Sequence, residues 1–320
     1  MSKRKILITG INGSGASYLA EYIIHNIANT EIYGTFRKDN LSNISHIRNH
    51  LCLFRCDLLD IKAVTNTIKI IRPDMIFHIA SYADVRKTWD NIPFVIHNNV
   101  VGTANLLDVI HKSKLKPKIM ICSTPEVYGQ VDPKNIPIDE NCPINPNNPY
   151  GVSKYAQEAL AYSYFTGFQL PVVITRMSTY INPRRQDLFA TAFAMQVARI
   201  EAGLQEELVH GNLDSTRTML DARDCARAYW LALEKCIPGE RYNIGGNKVV
   251  TVGEFLDILK QKAKCHIQSR TDPDLLRPSD TTLQVINSQK FINQTGWNQQ
   301  YTFEESIEYL LEHCRKAIHT

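Results

Sequence analysis

No uninterrupted hydrophobic run in this sequence approaches the roughly 18 residues that span a bilayer, so a membrane helix is excluded. The basic opening, Met1-Ser2-Lys3-Arg4-Lys5, leads into only Ile6-Leu7-Ile8 before Thr9 and Gly10, too short for the apolar part of a signal peptide. Also missing are a Cys-x-x-Cys pair and a cluster of histidines. The 8 cysteines are scattered, so neither a disulfide framework nor a zinc site is expected, and no metal is assigned. Cys52 and Cys56, the nearest pair, read as small residues flanking a strand. Charge of one sign is not in excess: 36 Lys+Arg against 32 Asp+Glu leave +4 with the signs mixed, which speaks against a nucleic-acid surface. Repeats and low-complexity tracts are absent as well. What is present is an ordinary globular composition, 44% hydrophobic and 21% charged, over 320 residues, room for one large or two ordinary domains. The expectation is a soluble, cytoplasmic protein.

The first half alternates short β-branched runs with helical patterns. The runs beginning at Lys5, Glu31, Leu51, Met75, Lys118 and Val172 predict six strands. Helical spacing is expected over 17–29, 61–71 and 102–112 and again after Pro149. Strands separated by helices of that length need right-handed crossovers, which predicts an α/β, Rossmann-type doubly wound parallel sheet. After Arg176 the character changes. A breaker-rich basic segment, Asn182-Pro183-Arg184-Arg185-Gln186, is followed by isolated helical patterns over 190–202, 222–235, 252–262 and 302–317. A smaller C-terminal α/β substrate-binding cap is expected there, closing over the carboxyl ends of the strands.

Three sets of residues carry chemistry. The turn Thr9-Gly10-Ile11-Asn12-Gly13-Ser14-Gly15-Ala16 joins the first strand to the first helix. Glycines there let backbone amides approach a pyrophosphate at a helix N-terminus, so Gly10, Asn12, Gly13 and Ser14 are candidate dinucleotide contacts. The second strand runs out as Thr35-Phe36-Arg37-Lys38 with no acid at its end. Arg37 and Lys38 suit a 2′-phosphate and favour NADP(H), while Asp39 keeps NAD(H) as the alternative. The third set is Tyr150-Gly-Val-Ser-Lys154, with Ser123-Thr124 upstream. Residues i and i+4 share a helix face, so the Lys154 ammonium is expected to lower the pKa of the Tyr150 phenol. Such a phenol can exchange a proton with a sugar hydroxyl or carbonyl oxygen while hydride moves to or from nicotinamide.

With these residues, and with Cys56-Asp57-Leu58, Phe77-His78-Ile79-Ala80, Asn99-Val-Val-Gly102-Thr103 and Ser123-Thr-Pro-Glu126-Val-Tyr-Gly129, the chain resembles the extended short-chain dehydrogenase/reductases that act on nucleotide sugars. Arg199-Ile-Glu-Ala-Gly203, Gly211-Asn-Leu-Asp214, Asp221-Ala-Arg-Asp224 and Leu276-Arg-Pro-Ser-Asp280 are similar to the GDP-sugar branch, the 4-keto reductases first and the 4,6-dehydratases next. The resemblance spans nearly the whole chain. It implies that Asp57 and Leu58 hold adenine and that Ala80 and Asn99 lie along the cofactor. It implies that Arg217 and Arg277 clamp a diphosphate, with Arg185 and Arg199 near the phosphates or guanosine. It implies a cofactor unit at 1–176 to which the chain returns over 218–245, and a cap from 177–217 and 246–320. A homodimer formed through a four-helix contact is implied too, as is a place in deoxysugar and polysaccharide biosynthesis. Two positions depart from the family pattern: Ala16 stands where the third turn glycine is expected, and Thr179 replaces an asparagine in the loop that meets the sugar.

The expected reaction is NAD(P)-dependent oxidation or reduction at C4 of a GDP-linked sugar, with Thr124, Tyr150 and Lys154 handling the proton. Glu126 stands where dehydratases keep an acid/base, so a GDP-mannose 4,6-dehydratase is the alternative, followed by a 4-epimerase. A cofactor-binding regulator without catalysis is disfavoured because Thr124, Tyr150 and Lys154 are all retained.

Overall fold

A computed structural model describes residues 3–276 and 281–318. In its first half β1 (Arg4–Thr9), α1 (Ser14–Asn26), β2 (Thr30–Phe36), β3 (Leu51–Arg55), α2 (Ile61–Ile71) and β4 (Met75–His78) follow one another. Next come α3 (Ile92–Ile96), a wide π-turn over His97–Val101, α4 (Gly102–Lys112), β5 (Lys118–Ser123), α5 (Pro149–Phe168) and β6 (Val172–Met177). The second half holds β7 (Thr179–Ile181), α6 (Phe189–Glu201), β8 (Leu208–His210), β9 (Thr216–Asp221), α7 (Ala222–Lys235) and β10 (Arg241–Ile244). It ends with β11 (Lys248–Thr251), α8 (Val252–Lys262), β12 (Ser269–Thr271), β13 (Leu283–Gln284), α9 (Gln289–Thr295) and α10 (Phe303–Ile318).

Local chemistry sets several boundaries. Asp60 accepts from the Lys62 and Ala63 amides to start α2, and Arg72 ends it in the left-handed region just before Pro73. Asn148 caps α5 through the Gly151 amide, with Pro149 at the first position where its missing N–H costs nothing. Thr251 and Glu254 form a reciprocal capping box on α8. Helix α1 begins at Ser14 rather than Ser17, because the turn residues themselves enter the first helical turn behind Gly13.

The main sheet has the order β10-β6-β5-β4-β1-β2-β3, every neighbouring pair parallel. Its period of two sorts the core. Ile6, Ile8, Phe77 and Met120 face α1 and α7 on one side. Leu7, Ile76, Ile119 and Ile121 face α2, α4 and α5 on the other. The chain reaches this layer again through α7, packed on α1, and through β10, beside β6. Sequence pattern does not predict β10, since Arg241-Tyr242-Asn243-Ile244 is short and half polar. A second sheet, β11-β9-β13 with β7 also on β9, and the parallel pair β8–β12 lie in the remainder. Phe193, Val197, Phe255, Leu259, Ile307 and Leu310 fill a separate core there. No described helix is long and apolar enough to cross a membrane.

Candidate active site

The carboxyl ends of β1, β4, β5 and β6 open into a cleft of about 550 Å³. At its floor Gly10 has φ +65°, and a Cβ there would stand 3.0 Å from the Ala80 Cα. The Thr9 hydroxyl accepts from the Ile79 and Ala80 amides at 3.1 Å, so the first turn and Ala80 are held in contact. Gly13, Ser14 and Asn12 line the same wall, and Asn12 fastens the loop after β2 by donating to the Asn40 carbonyl and accepting from the Asn43 amide. The missing third glycine has a structural counterpart. Ala16 is packed in the core, while a Cβ on Gly15 would come 2.9 Å from the Tyr180 hydroxyl, so the extra space is needed one residue earlier.

At the outer end of the cleft the Arg37 guanidinium donates to Asn98 Oδ1 at 2.9 Å and lies 3.9 Å from Asp57 Oδ2. Both charged side chains are about half solvated, 44% and 40% exposed. Asp57 also accepts from the Leu59 amide, and Leu58 lines the wall beside it. Asp39 is paired with Arg55 across 3.4 Å, in solvent.

At the inner end Tyr150, Lys154 and Thr124 converge, all buried. Gly151 permits this: a Cβ there would stand 2.6 Å from the Glu126 carbonyl oxygen, so only glycine lets the start of α5 press against the turn after β5. Thr124 Oγ1 accepts from the Glu126 amide at 3.3 Å. Lys154 Nζ donates to the Cys122 carbonyl at 2.7 Å and stands 5.8 Å from the centre of the Tyr150 ring. The expected lowering of the Tyr150 phenol by Lys154 is not what dominates. Burial pushes the phenol up, and the charge that opposes this is Arg185; burial likewise pushes Lys154 down. For both groups burial is the largest cause of the shift.

Arg185 lines the cleft, donating to the Ala83 carbonyl at 2.7 Å and pairing with Asp187. Thr179, on β7, lines it too. Glu126 reaches the inner end with both carboxylate oxygens engaged: Asn148 Nδ2 donates to one at 2.6 Å and Gln284 Nε2 to the other at 2.8 Å. Neither amide was flagged by sequence. Asn148 could be read as a helix cap before Pro149, whereas Gln284 on β13 carries no local signal.

Other candidates stand elsewhere. Asn99, expected along the cofactor, is 1% exposed, and Asn98 lines the cleft instead. Neighbouring residues of the wide turn point to different faces, so Asn99 points inward, bonding the Tyr82 backbone on both sides and Ser153 Oγ. Arg199 is exposed near the end of α6, away from the cleft-lining residues. Arg217, on β9, is buried and donates to the Thr216 carbonyl at 2.9 Å; it lies opposite Gln284 in the sheet rather than on the cleft wall. Arg277 lies outside the described residues. Among the described residues no group of three or more His, Cys, Asp or Glu could hold a metal ion.

The family model of GDP-mannose 4,6 dehydratase matches residues 7–310. The chain is 27% identical to a GDP-mannose 4,6-dehydratase of Yersinia enterocolitica, over 94% of this chain and 91% of that one. It is 29% identical to a GDP-6-deoxy-D-mannose reductase of Pseudomonas aeruginosa, over 75% and 79%. Among solved structures, RMD of Pseudomonas aeruginosa complexed with NADPH superposes with a TM-score of 0.84 over 98% of both chains at 24% identity, a likeness of fold. A dTDP-glucose 4,6-dehydratase of Bacillus anthracis in complex with NAD matches with the same TM-score at 27% identity, over 98% of this chain and 97% of that one.

Proposed function

Because the chain belongs to the GDP-mannose 4,6 dehydratase family, we propose that it is an NAD(P)-dependent oxidoreductase acting at C4 of a GDP-linked sugar, as a 4-keto reductase or 4-dehydrogenase. The observation that carries this reading is the buried meeting of Tyr150, Lys154 and Thr124 at the inner end of a cleft that begins at a glycine turn. A dinucleotide fits the residues present, since the glycine turn, packed closely against Ala80, lines the cleft and leads into the N-terminus of α1, whose backbone amides suit a pyrophosphate. A bound nicotinamide supplies the hydride acceptor or donor for C4. Gly10, Asn12, Gly13 and Ser14 hold the phosphates, Asp57, Leu58 and Ala80 flank the adenosine side, and Asn99 acts behind the wall by fixing the 80–82 segment.

Tyr150 gives or takes the proton at the sugar O4, and Thr124 bonds the same oxygen. Lys154, anchored on the Cys122 carbonyl, presents its positive charge beneath the phenol ring. Arg185 and Thr179 face the sugar and its phosphates and Arg277 is assigned to the diphosphate, whereas Arg217, off the cleft wall, is not. Arg37 at the strand end, with Asp39 engaged by Arg55, supports NADP(H) over NAD(H). Glu126, held by Asn148 and Gln284, is the acid/base of the alternative, elimination reading. We divide the chain into a cofactor unit, 1–176 with the return over 218–245, and a cap from the rest. Exposed Phe94, Val101, Val152, Tyr155, Tyr162 and Phe168 on α3 to α5 support a homodimer through a four-helix contact, which light scattering at twice the chain mass would verify.

The deciding experiment is mass spectrometry of products from GDP-mannose, GDP-4-keto-6-deoxy-mannose and a GDP-heptose, each with NAD(H) and NADP(H). A two-dalton change is expected, its sign giving the direction. Loss of water without that change would overturn the reading in favour of a dehydratase.

A further inference from the structure

We propose that Gln284 is a specificity-determining residue of the cleft: its side-chain carbonyl accepts from a hydroxyl of the sugar ring, so the site selects a sugar that carries that hydroxyl over the deoxy form. This rests on the reading of the cleft as a GDP-sugar site.

The polarity of the amide is set by its neighbour. Gln284 Nε2 donates to Glu126 Oε1 at 2.8 Å. A carboxylate accepts and does not donate, so of the two ends of the Gln284 amide only the nitrogen can face it. The second amide on Glu126 shows the contrast. Asn148 Nδ2 donates to Oε2 at 2.6 Å, and its own carbonyl is taken by the Gly151 amide at 2.8 Å, so Asn148 is satisfied at both ends. Gln284 is satisfied at one end only. Among the described residues none donates to Gln284 Oε1, and the residue, though 4% exposed, lines the cleft. A carbonyl oxygen in such a wall, without a donor from the protein, is an acceptor available to a ligand.

The backbone holds that oxygen in place without help from the side chain. On one side Gln284 lies opposite Arg217 in β9, and the Ile286 amide donates to the Thr218 hydroxyl at 2.9 Å. On the other side the Thr282 amide donates to Gln130 Oε1 at 3.0 Å and the Ile138 amide to the Val285 carbonyl at 2.7 Å. Replacing the Gln284 side chain therefore removes the acceptor and leaves the strand where it is.

The surroundings name the group received. Thr124 and Tyr150, assigned to the sugar O4, stand at the same inner end of the cleft as Glu126 and Gln284. The donors that a sugar offers around C4 are its other hydroxyls. A hydroxyl meeting Oε1 completes the amide. A deoxy carbon there strands the carbonyl against hydrocarbon, and a fluorine sets two acceptors against each other. Sites that bond a substrate hydroxyl reject its absence because their own buried polar group is left unpaired. Each Glu126 oxygen keeps a free lone pair, so the assignment holds whether that carboxylate only accepts or also acts as a base.

The test is calorimetric binding of GDP-mannose and of its 2-, 3- and 6-deoxy forms to the full chain in the presence of NADPH, which cannot oxidise them. The parent should bind at least one deoxy form about tenfold more weakly than GDP-mannose, the contribution of one buried hydrogen bond. Gln284→Met, close in shape but without the carbonyl, should bind GDP-mannose about tenfold more weakly and no longer distinguish it from that deoxy form. A merely structural role would weaken both sugars alike and leave the difference between them. The fluorinated sugar at the same carbon, an acceptor that cannot donate, should bind the parent no better than the deoxy form. Gln284→Leu serves as a second variant should the Met protein not fold by circular dichroism. Deoxy penalties that all persist in the Gln284 variants, or a fluorinated form bound as tightly as GDP-mannose, overturn the assignment. Failure of the parent to bind any GDP-sugar overturns instead the reading of the cleft.

Discussion

The two ends of the cleft obey different electrostatics. At the outer end Arg37, Asp57, Asp39 and Arg55 meet in water, where pairing at 3.4–3.9 Å is screened and worth little. At the inner end, polar groups are removed from water and tied together. Arg176 and Glu158 form a two-point ion pair, Arg176 also donates to the Tyr128 hydroxyl, and Ser123 donates to Glu158. That network fixes the end of β5 from which Thr124 projects. One end presents its charges in solvent and the other holds its polar groups in fixed, buried contacts. Substitutions should therefore matter far more inside than outside.

The largest effect is expected from Glu158→Ala, which leaves the buried Arg176 guanidinium without its carboxylate and should cost about 3–5 kcal/mol in urea unfolding. A cost below about 1 kcal/mol, the range of surface pairs, would erase the contrast between the ends. Next, Tyr150→Phe should lower kcat by about 10³-fold with stability nearly unchanged, the loss of a proton-transfer group. Turnover equal to the parent would remove Tyr150 from the chemistry.

Acid should reach the inner end through His78. Its Nδ1 lies 2.9 Å from the Thr9 hydroxyl and its Nε2 2.8 Å from that of Thr103, and burial, with Lys154 adding to it, pushes its pKa from 6.5 down to about 3. The unfolded chain takes up that proton first as pH falls. Stability supplied by neutral His78 is thus complete above about 6.5 and is lost between there and about 3, at up to about 1.4 kcal/mol per pH unit. Unfolding free energies measured from pH 7 to 4 should fall less steeply in His78→Gln than in the parent. The smallest effects belong to the outer end. Arg37→Ala should raise KM for NADPH about tenfold while leaving NADH within about twofold, and the gap should shrink in high salt. Arg55→Ala should change stability by no more than about 0.5 kcal/mol.

How much of this could be read beforehand depends on how local each signal is. The glycine turn, the Tyr150/Lys154 spacing and the strands of the parallel sheet sit in short windows whose periodicity or turn chemistry is self-contained. The position of Asn99 does not, because the wide turn at His97–Val101 sets which asparagine faces the cleft. Ala16 in the third glycine place looks like a defect until Tyr180, from β7, is seen against Gly15. The sign of the Tyr150 shift also needed burial, since a nearby ammonium and a dry environment push a phenol in opposite directions.

The amino-acid order by itself determined an α/β chain with a dinucleotide turn and a Tyr–Lys pair one helical turn apart, because each is a contact between near neighbours. Tertiary structure alone decided what stands around them. Gln284 meets Glu126 across 158 residues of chain, and Arg176 meets Glu158 in a place without water. Such pairings depend on where strands from distant parts of the chain come to rest, and the free energy of each depends on the burial that only the assembled fold provides.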